Sequence, residues 1–518
     1  MPTKPSFNDY IKSFPNDFTS AIVVFLVALP LCLGVALASN APLFSGIIAG
    51  VIGGIIVGVA SRSHLSVSGP AAGLTAIVAT SLASLPSFES FLLAVVLAGI
   101  LQIILGVVKA GVIGDFVPGS VIKGMLAAIG LILLINQFPH LLGDDSQFES
   151  DEGVPRKGNI FTNFFYAFTN INTSAFIIGG LALVFNIGWE KFQQGKTGLI
   201  KFIPGPLLMV VLGVVLNQVF QSQQWLPALE GEHLVILPIA QSTSEFFSFL
   251  TMPDWSQLGN YQVLTVAVTL ALVASLESLL SIEAVDELDP YKRVTPTNRE
   301  LKAQGIGNIV SGLLGGLPVT SVIVRSSANV NSGAKTKMST IFHGILLLLC
   351  VAFIPFILNL IPKSALAAIL IFTGYKLAKP SLFVRYYKKG WNQFLPFVGT
   401  IVAILATDLL KGVIIGIGIG IIFIIRSNFK TAILSVNDDN KYLFRLRKDV
   451  SFLNKAILKQ GLEKVPAQSF VIIDISRADF IDADIIEIIE DFQKHAPLQK
   501  IKVEIKQSPY KNPIFKTH

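Results

Sequence analysis

The chain has 518 residues, of which 52% are hydrophobic and only 14% charged, with a net charge of +7 and a mean hydropathy of +0.65. Soluble domains carry about 25% charged residues, so this composition excludes an ordinary soluble protein. The positive excess reads as a charge bias of membrane-flanking loops, with no nucleic-acid partner expected, and the two cysteines, Cys32 and Cys350, both lie in apolar runs, which excludes a disulfide framework.

Apolar runs near 20 residues recur through residue 426: 18–38, 42–60, 91–108, 261–276, 341–361 and 412–425. Each is long enough to cross a hydrocarbon core of about 30 Å. The first has few basic residues before it and no small-residue cleavage site after it, so it reads as a retained span. In chain order the expected helices are 18–38, 42–60, 71–84, 90–109, 117–136, 172–189, 202–220, 261–283, 303–315, 320–331, 339–359, 364–378, 392–408 and 410–426. The fold class is thus a polytopic α-helical membrane protein, with residues 1–16 as an N-terminal segment and 17–426 as the membrane domain.

Loop charges orient it. The loop 221–260 carries Glu230, Glu232, Glu245 and Asp254 and no Lys or Arg; 137–171 carries Asp144, Asp145, Glu149, Asp151 and Glu152 against Arg156 and Lys157. The loop 376–391 carries Lys376, Lys379, Arg385, Lys388 and Lys389 and no acid, and Lys335 and Lys337 follow the tenth helix. Basic and acidic loops fall on opposite sides of the count. Both termini are expected in the cytoplasm, in a bacterial-type plasma membrane. Glycines four apart, Gly46, Gly50, Gly54 and Gly58, and again Gly412, Gly416 and Gly420, mark helix faces where backbones approach closely.

Two short spans are broken. SVSGPAAGLTAIVA (66–79) and GGLPVTSVIVRSSA (315–328) each run Gly, Pro, small residues, then a short apolar helix. Gly69, Pro70, Gly316 and Pro318 make the breaks. Matched interruptions in the two halves of a chain point to a transport site at an inverted-repeat interface. Backbone freed by such a break must be buried in protein or line a wet cavity. A half-helix that begins in mid-membrane presents unpaired N–H groups and a positive dipole end to an anion. The expected anion site is therefore Ala71, Ala72, Thr320 and Ser321, with Arg325 adding a full positive charge. The competing reading is a proline-kinked helix whose arginine reaches for the membrane surface.

Glu277 lies deep in VTLALVASLESLLSIEA, and an intramembrane carboxylate is a functional candidate. Ser281 is one turn later on the same face. Together they suit Na+, or Glu277 alone carries a proton; the competing reading is a structural counter-charge to Arg325, and these roles can coexist. Glu283, Asp286, Glu287 and Asp289 read as groups at or beyond the helix end, beside Lys292, Arg293 and Arg299. His343 reads as a packed core histidine. The spans show no nucleophile–base pair, no HExxH and no second catalytic carboxylate, so no enzyme activity and no organic cofactor are expected.

After Arg426 the pattern changes. KYLFRLRKDV reads as a strand, FLNKAILKQGL as a helix, FVIIDI as a buried strand, DADIIEIIEDFQKH as a helix and KIKVEIK as a strand. Residues 437–518 thus read as a small cytoplasmic α/β domain.

The stretch 275–337, SLESLLSIEAVDELDPYKRVTPTNRELKAQGIGNIVSGLLGGLPVTSVIVRSSANVNSGAKTK, strongly resembles the sulfate permease (SulP) family of anion transporters. DFTSAIVVFLVALPLCLGVALA (17–38) and SVSGPAAGLTAIV (66–78) resemble that family's first and third helices. The resemblance runs from about Asp17 to Arg426. It implies fourteen helices in seven-plus-seven inverted repeats, shared with uracil permeases. It also implies a core domain of helices 1–4 and 8–11 moving against a gate domain of helices 5–7 and 12–14, in a homodimer. The tail is similar to a STAS domain, except that Ala483 stands where phosphorylatable relatives carry serine, which argues against a phospho-switch. Bacterial bicarbonate carriers of the family place Asp and Thr where this chain has Glu277 and Ser281. The expected function is secondary active transport of a small inorganic anion, bicarbonate or sulfate, coupled to Na+ or H+; an anion channel or uncoupled exchanger is the alternative on the same fold.

Overall fold

The computed structural model describes residues 7–112, 117–144, 164–169, 171–193, 203–407 and 409–508. Asp145, Glu149, Asp151, Glu152, Arg156 and Lys157, used above to orient the loops, lie outside them. The chain divides into two compact units, Met1–Ile417 and Gly418–His518.

The first unit is helical. Its helices are α1 (Phe7–Ala38), α2 (Leu43–Ala60), α3 (Thr75–Ser84), α4 (Phe88–Val107), α5 (Gly119–Leu142), α6 (Thr173–Gln193) and α7 (Gly205–Gln223). They continue with α8 (Tyr261–Leu288), α9 (Thr297–Leu313), α10 (Ile323–Asn331), α11 (Met338–Phe353), α12 (Lys363–Leu377) and α13 (Trp391–Ala406), and the unit boundary falls within α14 (Leu409–Thr431). Every range expected from the sequence contains helix. Among the described residues, eight helices are long and apolar enough to cross a membrane, α1, α2, α4 and α8 among them; α3, α11 and α13 are shorter apolar helices. Further short helices occupy Thr243–Ser248, Pro355–Leu358 and Pro380–Lys388.

Close backbone approach holds the bundle together, because helices in lipid gain little from burying apolar surface and rely on packing. A Cβ at Gly46 would strike the Cys32 carbonyl of α1, and one at Gly54 would lie 2.6 Å from the Gly344 α-carbon of α11. The α2 ladder is thus wedged between α1 and α11. A second crossing, not foreseen, joins α4 to α9: a Cβ at Gly99 would lie 2.6 Å from the Gly305 carbonyl, and the reverse distance is the same. Gly130 of α5 and Gly374 of α12 meet in the same way.

Two boundaries shift for a physical reason. Helix α9 starts at Thr297 rather than 303, and α8 runs to Leu288 rather than 283. Polar residues such as Asn298 and Glu300 read as loop in a membrane sequence, yet Glu300 is fully buried because its carboxylate has hydrogen-bonding partners within the helix bundle. Beyond α8, Arg293 grips Asp289 with two hydrogen bonds of 2.6 and 3.2 Å. Burial alone would raise the Asp289 carboxyl, but Arg293 and the Tyr291 amide outweigh it and hold the group below the usual carboxylate range.

The second unit carries a four-stranded sheet in the order β3 (Ile433–Asp438), β4 (Lys441–Val450), β5 (Phe470–Ile481) and β6 (Lys502–Lys506); β3–β4 is antiparallel and the other two pairings are parallel. Helices α15 (Lys455–Glu463) and α16 (Ala483–His495) make the crossovers. Leu458, Leu462, Ile485 and Ile489 pack on Val471, Ile473 and Ile475 in one core. The hairpin strand β3 was not expected; it begins before residue 437, directly after α14. Ala483 opens α16, where Asp482 caps the helix by accepting from the Asp484 amide.

Candidate functional site

The two breaks meet. Residues Ser68–Pro70 form strand β1 and Val319–Ser321 form strand β2, paired antiparallel in the register Ser68↔Ser321, Gly69↔Thr320 and Pro70↔Val319. The Gly and Pro that end the helical pattern thus leave a short extended segment in each half, and each satisfies the other's backbone. Thr320 and Ser321, expected at a helix N-terminus, lie in β2; the half-helix α10 begins two residues later, at Ile323. On the other side a 3-10 turn at Ala72–Leu74 leads into α3. Neither half-helix has a side-chain cap: the N-cap positions are Ala71 for the 3-10 turn, Leu74 for α3 and Val322 for α10, none of which carries an acceptor. A helix start leaves its leading N–H groups without intrahelical partners; here the Leu74 amide donates to the Ala71 carbonyl, the Val322 amide to the Val67 carbonyl at 2.9 Å, and the Gly73 amide faces the Glu277 carboxylate.

A cavity of about 310 Å³ lies at these two ends. It is lined by Ala72 and Gly73 at the start of α3, by Val322, Ile323 and Val324 at the start of α10, and by Glu277 and Ser281 of α8. Lys123 of α5 and Thr373 and Leu377 of α12 also line it. The Glu277 carboxylate packs against Gly73 so closely that a Cβ there would overlap Oε1 and lie 2.7 Å from Oε2. Glu277 Oε2 is buried and accepts no hydrogen bond. No ion pair joins Glu277 to Arg325 or to any other cation among the described residues.

The remaining expected site residues stand behind the cavity wall. Ala71 is buried, and Thr320 and Ser321 are fully so. The Ser321 hydroxyl shares a 2.5 Å hydrogen bond with Ser66, and its amide donates to Ser278 Oγ at 3.3 Å. Arg325 is 1% exposed and is the largest fully buried side chain among the described residues. Its guanidinium lies against the Gly69 α-carbon, with Nη2 donating to the Pro70 carbonyl at 3.2 Å and Nε and Nη1 unpartnered. It therefore braces β1 from behind and reaches the cavity through its field rather than by contact. A side chain on Gly69 would occupy the guanidinium's place, so the break glycine and the arginine require each other.

This constellation has counterparts. The sulfate permease family signature matches residues 14–397. The chain belongs to the sulfate permease family. Among curated members, the bicarbonate transporter BicA of Picosynechococcus is 26% identical over 83% of this chain and 74% of its own length. Sulfate transporter 4.1, chloroplastic, of Arabidopsis thaliana is 24% identical over 95% of this chain and 75% of its own. In fold, the solved structure of SLC26A9 superposes with a TM-score of 0.76 at 16% identity, covering 96% of this chain and 84% of that one. The protein is thus an anion transporter of the sulfate permease family and not an enzyme.

Within this family member, the residues that hold the site together were missed by sequence reading. Helix α9 carries a buried polar ladder at spacings of four, four and three residues, Glu300, Gln304, Asn308 and Ser311. Asn308 accepts from the Val319 amide at 2.6 Å and donates to the Val319 carbonyl at 3.0 Å and to Gln102 Oε1 at 2.7 Å. It thereby binds the outer edge of β2 as a third strand would. Gln304 donates to Ser68 Oγ and to Glu300 Oε1, both at 2.8 Å, and Ser311 donates to the Leu317 carbonyl at 2.7 Å. Glu300 in turn accepts from Ser61 Oγ. The signal was present: Glu300, Gln304, Asn308 and Ser311 fall on one face of a helix, and polar side chains inside a membrane bundle demand partners. His343 is packed as expected, with Nδ1 2.9 Å from the Thr340 carbonyl, and Cys32 and Cys350 are buried free thiols.

Proposed function

We propose that the protein is a secondary active transporter of a small inorganic oxyanion, bicarbonate or sulfate, driven by Na+ or H+. The observation that carries this reading is the β1–β2 pairing, which sets the starts of α3 and α10 on one small cavity together with Glu277 and Ser281. In this reading the anion sits between the uncapped first turns, at Ala72 on one side and Ile323 and Val324 on the other, with Arg325 contributing positive potential from behind β1. Backbone N–H groups that face a cavity suit an anion that must leave again, since they bind it without a full counter-charge. Glu277 takes the coupling ion: a buried carboxylate with no cationic partner among the described residues must gain a cation or a proton, and Ser281 supplies a further oxygen for Na+. Anion and cation then favour each other's binding, and the coupling is reciprocal.

Transport proceeds by alternating access, helices 1–4 and 8–11 moving as a core against a gate of helices 5–7 and 12–14 in inverted repeats, within a homodimer. The termini face the cytoplasm across the plasma membrane, with residues 437–518 forming a STAS-like domain there. Support for the repeat comes from the two matched Gly-Pro breaks; support for orientation comes from the basic residues of 376–391. The test is uptake of labelled bicarbonate and of labelled sulfate into proteoliposomes, with Na+ and pH gradients imposed separately. Uphill accumulation driven by one gradient is expected; passive conductance without accumulation would replace the transporter by a channel.

A further inference from the structure

We propose that Lys123 is the gate-side positioning residue for the transported anion, on the lining of the cavity that the two half-helix starts share. The proposal rests on the transport reading above. It begins with which charges line the cavity. On the α8 wall these are Glu277, Glu283 and Glu287; the one cationic side chain on the lining, among the described residues, is Lys123. Arg325, the cation the sequence singles out, is not on the lining.

Lys123 lies in the second turn of α5. Its neighbours in sequence fix the helix by the other side: Val121 is fully buried, and a Cβ at Gly124 would lie 2.6 Å from the Phe397 carbonyl of α13. That packing turns Lys123 away from α13, and it is exposed. It forms no hydrogen bond or ion pair among the described residues, so its ammonium is neither a latch to Glu283 or Glu287 nor a helix-end cap in this conformation. An unpaired cation at the wall of a concave, low-dielectric cavity raises the local concentration of anions. A compact ammonium on a flexible stem can also follow an oxyanion as the wall moves, which a buried guanidinium cannot.

The cavity is therefore divided by charge. Carboxylates run along α8, where the coupling cation binds at Glu277, and the single ammonium among the described lining residues comes from α5. An anion held between Lys123 and the first turns of α3 and α10 would touch both moving parts. Its own charge would neutralise Lys123 as the two walls approach. The acids of α8 make Lys123 more necessary, since without it every charged side chain on the lining repels the substrate.

The experiment measures initial uptake of labelled bicarbonate, sulfate and chloride by the full-length protein in proteoliposomes, over a range of anion concentration and ionic strength. Lys123→Gln should raise KM for the transported anion about tenfold, equivalent to about 1.4 kcal/mol, with kcat little changed. It should also flatten the rise of KM with ionic strength that wild type shows. Lys123→Arg should restore most of the affinity, and Lys123→Glu should be worse than Gln. An unchanged KM in Lys123→Gln overturns the assignment of Lys123 while leaving the transport reading intact, as does a fall in kcat alone in both the Gln and Arg variants. Failure of wild type to carry any of the three anions overturns both.

Discussion

Gly73→Ala is the sharpest perturbation of the proposed coupling site. The added Cβ would overlap Glu277 Oε1 and stand 2.7 Å from both Cδ and Oε2. Real Cβ atoms do not approach other heavy atoms so closely, so either the 3-10 turn or the carboxylate must give way. The turn is held by the Leu74 amide on the Ala71 carbonyl and by Thr75 Oγ1 on the Ala72 carbonyl at 2.8 Å, whereas Glu277 is the end of a flexible side chain. The carboxylate moves. Inserting one methyl into a packed site costs roughly 1–3 kcal/mol. If that strain falls on the ion-bound geometry, the driving ion is held roughly 5- to 150-fold more weakly. The assay is the concentration of Na+, or the pH, that gives half-maximal uphill anion uptake in proteoliposomes. The anion's own KM should change less at saturating driving ion, because the substitution keeps the backbone N–H at this position. A half-saturation unchanged from wild type, in a protein that is less stable to heat, would show that Gly73 and Glu277 only pack together and that the coupling ion binds elsewhere.

Substitutions at three other positions probe the same geometry. Glu277→Gln keeps shape and removes charge, so it should abolish accumulation against a gradient while anion exchange persists; accumulation equal to wild type would leave Glu277 a structural group. Arg325→Ala removes the Pro70 contact and the field together and should weaken anion binding strongly, and Arg325→Lys should rescue it only in part, because an ammonium lacks the guanidinium's fork; direct binding measurements on purified, folded variants decide this. Asn308→Ala strands the Val319 N–H and C=O and should destabilise the protein by about 2–4 kcal/mol. It should also lower anion affinity through the loosened β2, read as a lower thermal midpoint and a higher KM.

The sequence alone determined what a bilayer imposes. Apolar runs of span length, basic loops at 376–391 and acidic ones at 221–260, and the paired Gly-Pro breaks are local signals, because lipid offers backbone groups no partner and each helix must satisfy itself. The same logic made Glu277 and Arg325 conspicuous, since a charge among apolar neighbours needs no tertiary information to be noticed. The alternation of the tail likewise gave most of its strands and helices. It missed β3, whose short ILSVND run follows a long helix and has no sheet until Ile433 pairs with Leu446.

Tertiary structure decided where those conspicuous groups point. Arg325 and Glu277 are both prominent in sequence, yet only Glu277 reaches the cavity; Arg325 fills the space that Gly69 leaves behind β1. Lys123, an ordinary lysine near a helix start, lines the cavity because Gly124 packs the other side of α5 on α13. Asn308 closes the edge of β2, a contact of eleven residues' separation in sequence that forms only because β1 pairs with β2 from the other half of the chain. Composition and periodicity report how one segment meets its solvent, lipid or water. Which polar groups complete one another across the bundle depends on helix rotation and close approach, and no single segment carries that information.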